Sequence, residues 1–159
     1  MADGCAHEAE AGGLKGAALL SHLAAAETRL AEDDQRLTAP RRRVLHMLLE
    51  AGQPVKAYDL IAGYGEDGEP AKPPTVYRAL EFLERQGFVH RIESLNAFVA
   101  CERGEVSHAA AFLICDCCGR SQEIAPVAAE ALNRAAEGAG YELSAITMEA
   151  HGLCGDCRG

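Results

Sequence analysis

Tryptophan is absent from the 159 residues, and phenylalanine and tyrosine bring aromatics to only 5% of the chain. With hydrophobic residues at 48%, Ala and Leu have to build a mainly helical core. No run of 18 apolar residues occurs, which argues against a membrane-spanning helix. Met1-Ala2-Asp3 lacks the charged-then-apolar pattern of an export signal, so a cytoplasmic location and reduced thiols are expected. The length suits one large domain or two small ones. Seven cysteines are present. In a reducing compartment their clusters point to metal or redox chemistry before a disulfide scaffold.

The formal net charge of -9 argues at first against nucleic acid, but the charge is unevenly placed. Residues 36–91 carry nine basic and seven acidic groups, the only stretch with a basic excess. Exposed charges are screened beyond roughly 8 Å at physiological salt, so a local docking surface can outweigh the total.

Residues 1–15 show no periodicity and are read as a mobile tail holding Cys5 and His7. From Ala17 to about Asp33, Leu19, Leu20, Leu23 and Leu30 recur at helical spacing. Thr38 is placed to cap a helix whose first turn holds Pro40, and Arg41-Arg42-Arg43 lead into Val44, Leu45, Met47, Leu48 and Leu49. Gly52 and Pro54 end it. A short helix over 56–62 carries Tyr58, and a Gly/acidic loop follows. The stretch Pro73 to Gly87 begins with two prolines and ends at a glycine. Its Val76, Leu80 and Leu83 form a buried stripe, leaving Thr75, Tyr77, Arg78 and Arg85 away from it. After Gly87 the period changes to two, across 88–93 and 97–101, which predicts a β-hairpin.

Helix, helix, helix, hairpin is the order of a winged helix-turn-helix, with 75–86 as the helix that would enter a major groove. A solvated surface helix would show the same stripe, and a winged helix also serves as a protein-binding scaffold. Downstream, 110–115 reads as a buried strand and 121–124 as its hairpin partner. A helix is expected over 126–139 with Val127, Leu132 and Ala135 inward, then a third strand over 141–150. The predicted fold is therefore α+β, with a mobile tail (1–15), a winged-helix DNA-binding domain (16–96) and a small α/β domain (97–159). The last has too little core to stand comfortably alone, so a structural metal or dimerisation would supply the missing stability.

Cys115-x-x-Cys118 and Cys154-x-x-Cys157 have the spacing of two metal-binding knuckles, with Gly119 and Gly155 available for the turns. Four thiolates in tetrahedral geometry suit a closed, structural Zn(II) site. A redox-active pair of the thioredoxin type expects a helix directly after it, and neither pair has one. Cys117 is read as standing outside the ligand set. In the hairpin, a turn centred on Leu95-Asn96 would set His90 directly opposite Cys101, a pair that could chelate one ion. His108 and Glu123 could complete a four-ligand site, although a lone His or Glu is usually a surface residue. With a water in place of one ligand the same set would suit a hydrolase or deaminase, but no pocket-forming motif accompanies it.

Arg36-Leu37-Thr38-Ala39-Pro40-Arg41-Arg42, Lys72 to Leu80, Gln86 to His90, Phe112 to Gly119 and Glu149 to Cys154 together resemble the ferric uptake regulator (Fur) family, in its zinc-sensing branch. That resemblance implies an N-terminal winged-helix domain, a C-terminal dimerisation domain, and a homodimer that binds an AT-rich palindrome in double-stranded operator DNA when zinc is replete and represses zinc-uptake genes. Two zinc ions per subunit are implied. One is structural, at Cys115, Cys118, Cys154 and Cys157, and one regulatory, at His90, Cys101, His108 and Glu123. Tyr58 and Arg78 fall at base-contacting positions. The segment after Tyr58 lacks a charged Asp/Arg pair that some relatives use between neighbouring dimers.

Overall fold

The computed structural model describes residues 12–101 and 109–158, and these form two units. In the first, helices α1 (Gly16–Glu32), α2 (Ala39–Ala51), α3 (Ala57–Ala62) and α4 (Pro73–Arg85) precede a hairpin of β1 (Val89–Ile92) and β2 (Ala97–Ala100). This is the winged helix-turn-helix order. β2 stays with the first unit, so the division falls after residue 101 and not at 96.

Helix α1 buries Leu19, Leu23, Ala26 and Leu30, one face at helical spacing. Leu20 lies off that stripe and is exposed. In α2 the Thr38 side chain makes no capping bond; its extended backbone instead offers a carbonyl to Arg42 N–H at 2.8 Å. Gly52 closes α2 in the left-handed conformation at φ +59°. A Cβ there would also meet the Gly13 backbone, because the segment before α1 lies against α2 through Leu14 N–H to Leu49 O at 2.8 Å.

Helix α4 starts on two prolines, whose missing N–H groups cost nothing in a first turn. It buries Val76, Ala79, Leu80, Phe82 and Leu83 against α2, α3 and β1. Removing the fully buried Leu83 side chain in Leu83→Ala should cost about 2–5 kcal/mol, read as a lower urea midpoint with unchanged slope.

The hairpin register differs from the expected one. Ile92 faces Ala97 and His90 faces Val99, around a four-residue turn in which Asn96 adopts φ +46°. Asn96 N–H bonds back to Glu93 O at 3.1 Å. His90 is therefore not opposite Cys101. The displacement is two residues, however, so both side chains keep the same face as diagonal neighbours. Val55 adds a short antiparallel bridge to Phe98, extending the wing on the β2 side.

The second unit is a three-stranded sheet in the order β4-β3-β5, with β3 (Ala110–Cys115) central. β4 (Ser121–Ile124) pairs antiparallel with β3, and β5 (Thr147–Gly152) parallel. Between them runs α5 (Ala129–Gly138), shorter than the 126–139 expected. β5 begins at 147, later than the expected 141, and runs on through His151. The three residues expected to face inward do not. Val127 is 70% and Leu132 46% exposed, and Ala135 is exposed as well. An amphipathic period identifies an apolar face, but among the described residues nothing covers it.

Candidate metal centres and nucleic-acid interface

Cys115 ends β3, and Cys118 lies in the turn that follows, where Gly119 takes φ +71° and donates to Cys115 O at 2.9 Å. Cys154 precedes and Cys157 ends a short 3-10 turn (Gly155–Cys157) just after β5. Because β3 and β5 run parallel with Cys115 beside Gly152, the two knuckles leave the sheet at the same end. Their four sulfurs all lie within 4.8 Å of one another, and Cys118 Sγ is 3.9 Å from Cys154 Sγ. A zinc tetrahedron with bonds near 2.3 Å has an edge of about 3.8 Å, so the donor type and this spacing fit Zn(II) with no open position. Cys117 is not a member of this group.

The electrostatics agree with a cation. The backbone N–H groups of Cys118 and then Cys154 point at Cys115 Sγ, the latter at 3.3 Å, and hold its thiol down at about 6. Cys157 is pushed up from its ordinary value, first by its hydrogen bond to Cys154 and then by burial. Four adjacent thiolates repel one another, so holding all four ionised requires a positive charge among them. Arg120 bonds Asp156 at 2.8 Å, tying one knuckle to the other. His151 Nδ1 lies 3.0 Å from Asp116, tying β5 to the first knuckle. These clamps have no signature in the cysteine spacing.

On the hairpin, a His90 ring nitrogen and Cys101 Sγ lie within 4.8 Å of each other. Cys101 is buried and its N–H donates to Phe88 O at 2.8 Å. Glu123 is on β4 beside Phe112 and is partly buried. His108 lies outside the described residues, as do Cys5 and His7.

Tyr58 on α3 and Tyr77 on α4 are 77% and 53% exposed, and Arg78 stands exposed next to Tyr77. Thr75 is partly buried in the first turn of α4. Among the described residues Arg78 makes no ion pair or hydrogen bond, which leaves its guanidinium available. The run Arg41-Arg42-Arg43 has a different fate. Arg41 lies over the Phe82 ring at 3.4 Å, Arg42 pairs with Glu27 at 3.0 Å, and Arg43 bonds the carbonyls of Tyr64 and Gly63. Part of the basic excess is thus spent on packing helices together.

Sequence reasoning passed over Arg29. It sits in the last turn of α1, donates to Gln86 O at 2.6 Å and covers the Phe88 ring at 3.6 Å. Burial pulls its guanidinium below the ordinary value, and the negative charge of Cys101 nearby opposes that shift. Its only sequence signal is a basic residue in the last turn of a helix.

A model of the ferric uptake regulator family matches residues 32–151. The chain is 42% identical over 137 residues to the zinc uptake regulation protein of Escherichia coli (strain K12), which covers 85% of this chain and 80% of that protein. It is similar to the solved structure of a zinc uptake regulator complexed with zinc and DNA, at TM-score 0.82 and 40% identity over 91% of this chain and 97% of that one. It is also similar to the crystal structure of holo XcZur, at TM-score 0.77 and 42% identity over 87% of this chain and 97% of that one.

Proposed function

The chain belongs to the ferric uptake regulator family, and from that premise we propose that it represses zinc-uptake genes by binding palindromic operator DNA as a zinc-loaded homodimer. At the coarser level it is a zinc-responsive, DNA-binding transcription regulator and not an enzyme. The finer reading assigns a structural Zn(II) to Cys115, Cys118, Cys154 and Cys157, and a regulatory Zn(II) to His90, Cys101, His108 and Glu123. Two ions per subunit follow. The exposed Leu113, Val127, Leu132, Tyr141 and Leu153 on the second unit fit the homodimer, which would cover apolar surface that a lone chain leaves in water. No described helix is long and apolar enough to cross a membrane. A protein that must reach DNA is placed in the cytoplasm on this reading.

One observation carries the proposal: the hairpin that follows α4 brings a His90 nitrogen and Cys101 Sγ within 4.8 Å. A metal bound there acts on the strand that continues the groove-reading helix. The thiolate favours zinc, since an all-oxygen and nitrogen site would suit iron or manganese better. On this reading, zinc at the hairpin restricts the geometry in which two α4 helices can meet two half-sites about 34–36 Å apart. The reacting groups of the interface are Tyr58, Thr75, Tyr77 and Arg78, with Arg78 reaching base edges or phosphates.

The test is a gel shift on an AT-rich palindrome under buffered Zn(II), Fe(II) and Mn(II). Binding should appear with zinc and vanish with a zinc chelator. Arg78→Ala should keep its zinc and its fold yet weaken binding by about 1–3 kcal/mol, roughly 5- to 150-fold. Equal activation by iron would overturn the zinc reading, and full binding by Arg78→Ala would overturn the interface.

A further inference from the structure

We propose that Arg29 is a positioning residue for the metal-sensing hairpin, holding Cys101 ready for zinc from a helix that contributes no ligand. The proposal rests on the reading of His90 and Cys101 as regulatory ligands. Three contacts carry it. The Arg29 guanidinium donates to the carbonyl of Gln86, the residue that closes α4, at 2.6 Å. The same group lies over the Phe88 ring, 3.6 Å from its centroid. Phe88 in turn accepts the Cys101 N–H at 2.8 Å. Arg29, Phe88 and Cys101 also line one cavity of about 190 Å³, together with His22 of α1.

One side chain thus fixes the end of the groove-reading helix, the start of β1 and, through Phe88, the residue at the far end of β2. That matters because β1 and β2 have four residues each, and a two-stranded hairpin is marginal without support. If the hairpin were loose, zinc binding would have to order Cys101 at the moment of capture. A ligand held in advance is free of that cost, and outer partners of metal ligands are worth about 10- to 100-fold in affinity. The planar guanidinium is the relevant chemistry, because it stacks on a ring and donates in its own plane at once. A lysine ammonium keeps the charge but cannot do both.

The experiment uses the full chain with zinc at the four-cysteine site. Regulatory zinc affinity is measured by competition with a chromophoric chelator, alongside the thiolate-to-cobalt absorption of the Co(II) form, the urea midpoint and DNA binding at saturating zinc. Arg29→Met should bind the regulatory zinc about 10- to 100-fold more weakly while DNA affinity at saturating zinc changes by less than about threefold. Its cobalt band should reach the parent intensity only at higher cobalt. Arg29→Lys should fold and show a weakening of at least about fivefold, since charge alone does not restore the stacked donor. Parent-like zinc affinity in folded Arg29→Met, or in Arg29→Lys should the methionine variant not fold, would overturn the proposal. Cys101→Ser separates the two readings. If it retained two zinc ions per subunit and zinc-dependent DNA binding, the ligand assignment itself would fail.

Discussion

A Cys118→Ser protein is expected to purify without its structural zinc, to lose the dimer and to bind no operator at any zinc concentration. The size of the effect follows from what the ion replaces. Among its described residues the second unit buries only Ala110, Ala111, Phe112, Ile114 and Cys115 as core, and none of α5 is buried. A domain of about fifty residues with so thin an interior draws its stability from a metal or a partner. Structural zinc contributes about 10–16 kcal/mol of apparent binding free energy near neutral pH, more than the unit's core can replace. Serine keeps the size but not the thiolate. The Arg120–Asp156 bond would survive it, yet an exposed ion pair is too strongly screened by solvent to replace the ion. Zinc content by mass spectrometry and molar mass by light scattering check this outcome. A dimeric, zinc-free and folded Cys118→Ser protein would contradict it.

Cys101→Ala is expected to behave differently: a folded dimer with one zinc per subunit that no longer responds to zinc. Removing the thiolate leaves His90 without its diagonal neighbour, so the hairpin loses the donor that favours zinc. If the DNA-competent state is populated to about 1% without regulatory zinc, operator affinity falls roughly hundredfold, because apparent affinity scales with that fraction. The difference between the two cysteine variants is itself a prediction. One loses structure and function together, the other function alone. A titration of operator binding against buffered zinc, with circular dichroism as the folding control, distinguishes them. Zinc-dependent binding retained in full by Cys101→Ala would remove the regulatory role from this pair.

Much of the first unit was legible in the sequence. The spacing of Leu19, Leu23 and Leu30 and of Val76, Leu80 and Leu83 encodes two buried helix faces directly. Pro73-Pro74 and Gly87 bracket α4 as backbone geometry requires. The hairpin was legible as a hairpin but not in register. A two-residue turn and a four-residue turn are both compatible with Glu93 to Asn96, and both put Ile92 and Ala97 on the buried face, so the apolar pattern does not choose between them. The shared face of His90 and Cys101 survives only because the two registers differ by an even number of residues. Arg41-Arg42-Arg43 marked a basic segment, but charge alone does not say whether a guanidinium meets phosphate, a ring or a carbonyl. All three have partners within the first unit.

What the sequence determined by itself is local: the order of helices and strands, the ends of α4, and two pairs of cysteines whose three-residue step suits a knuckle. These follow from bonded geometry and short-range periodicity, which need no knowledge of distant residues. The tertiary structure decided which distant groups meet. Cys118 and Cys154 are 36 positions apart and come to 3.9 Å because β3 and β5 pair in parallel around a buried Phe112. It also decided that Arg29, unremarkable in α1, reaches Gln86 and Phe88 across 57 positions or more. Burial of apolar surface selects such encounters, and it acts on the whole chain at once, beyond the reach of any local pattern.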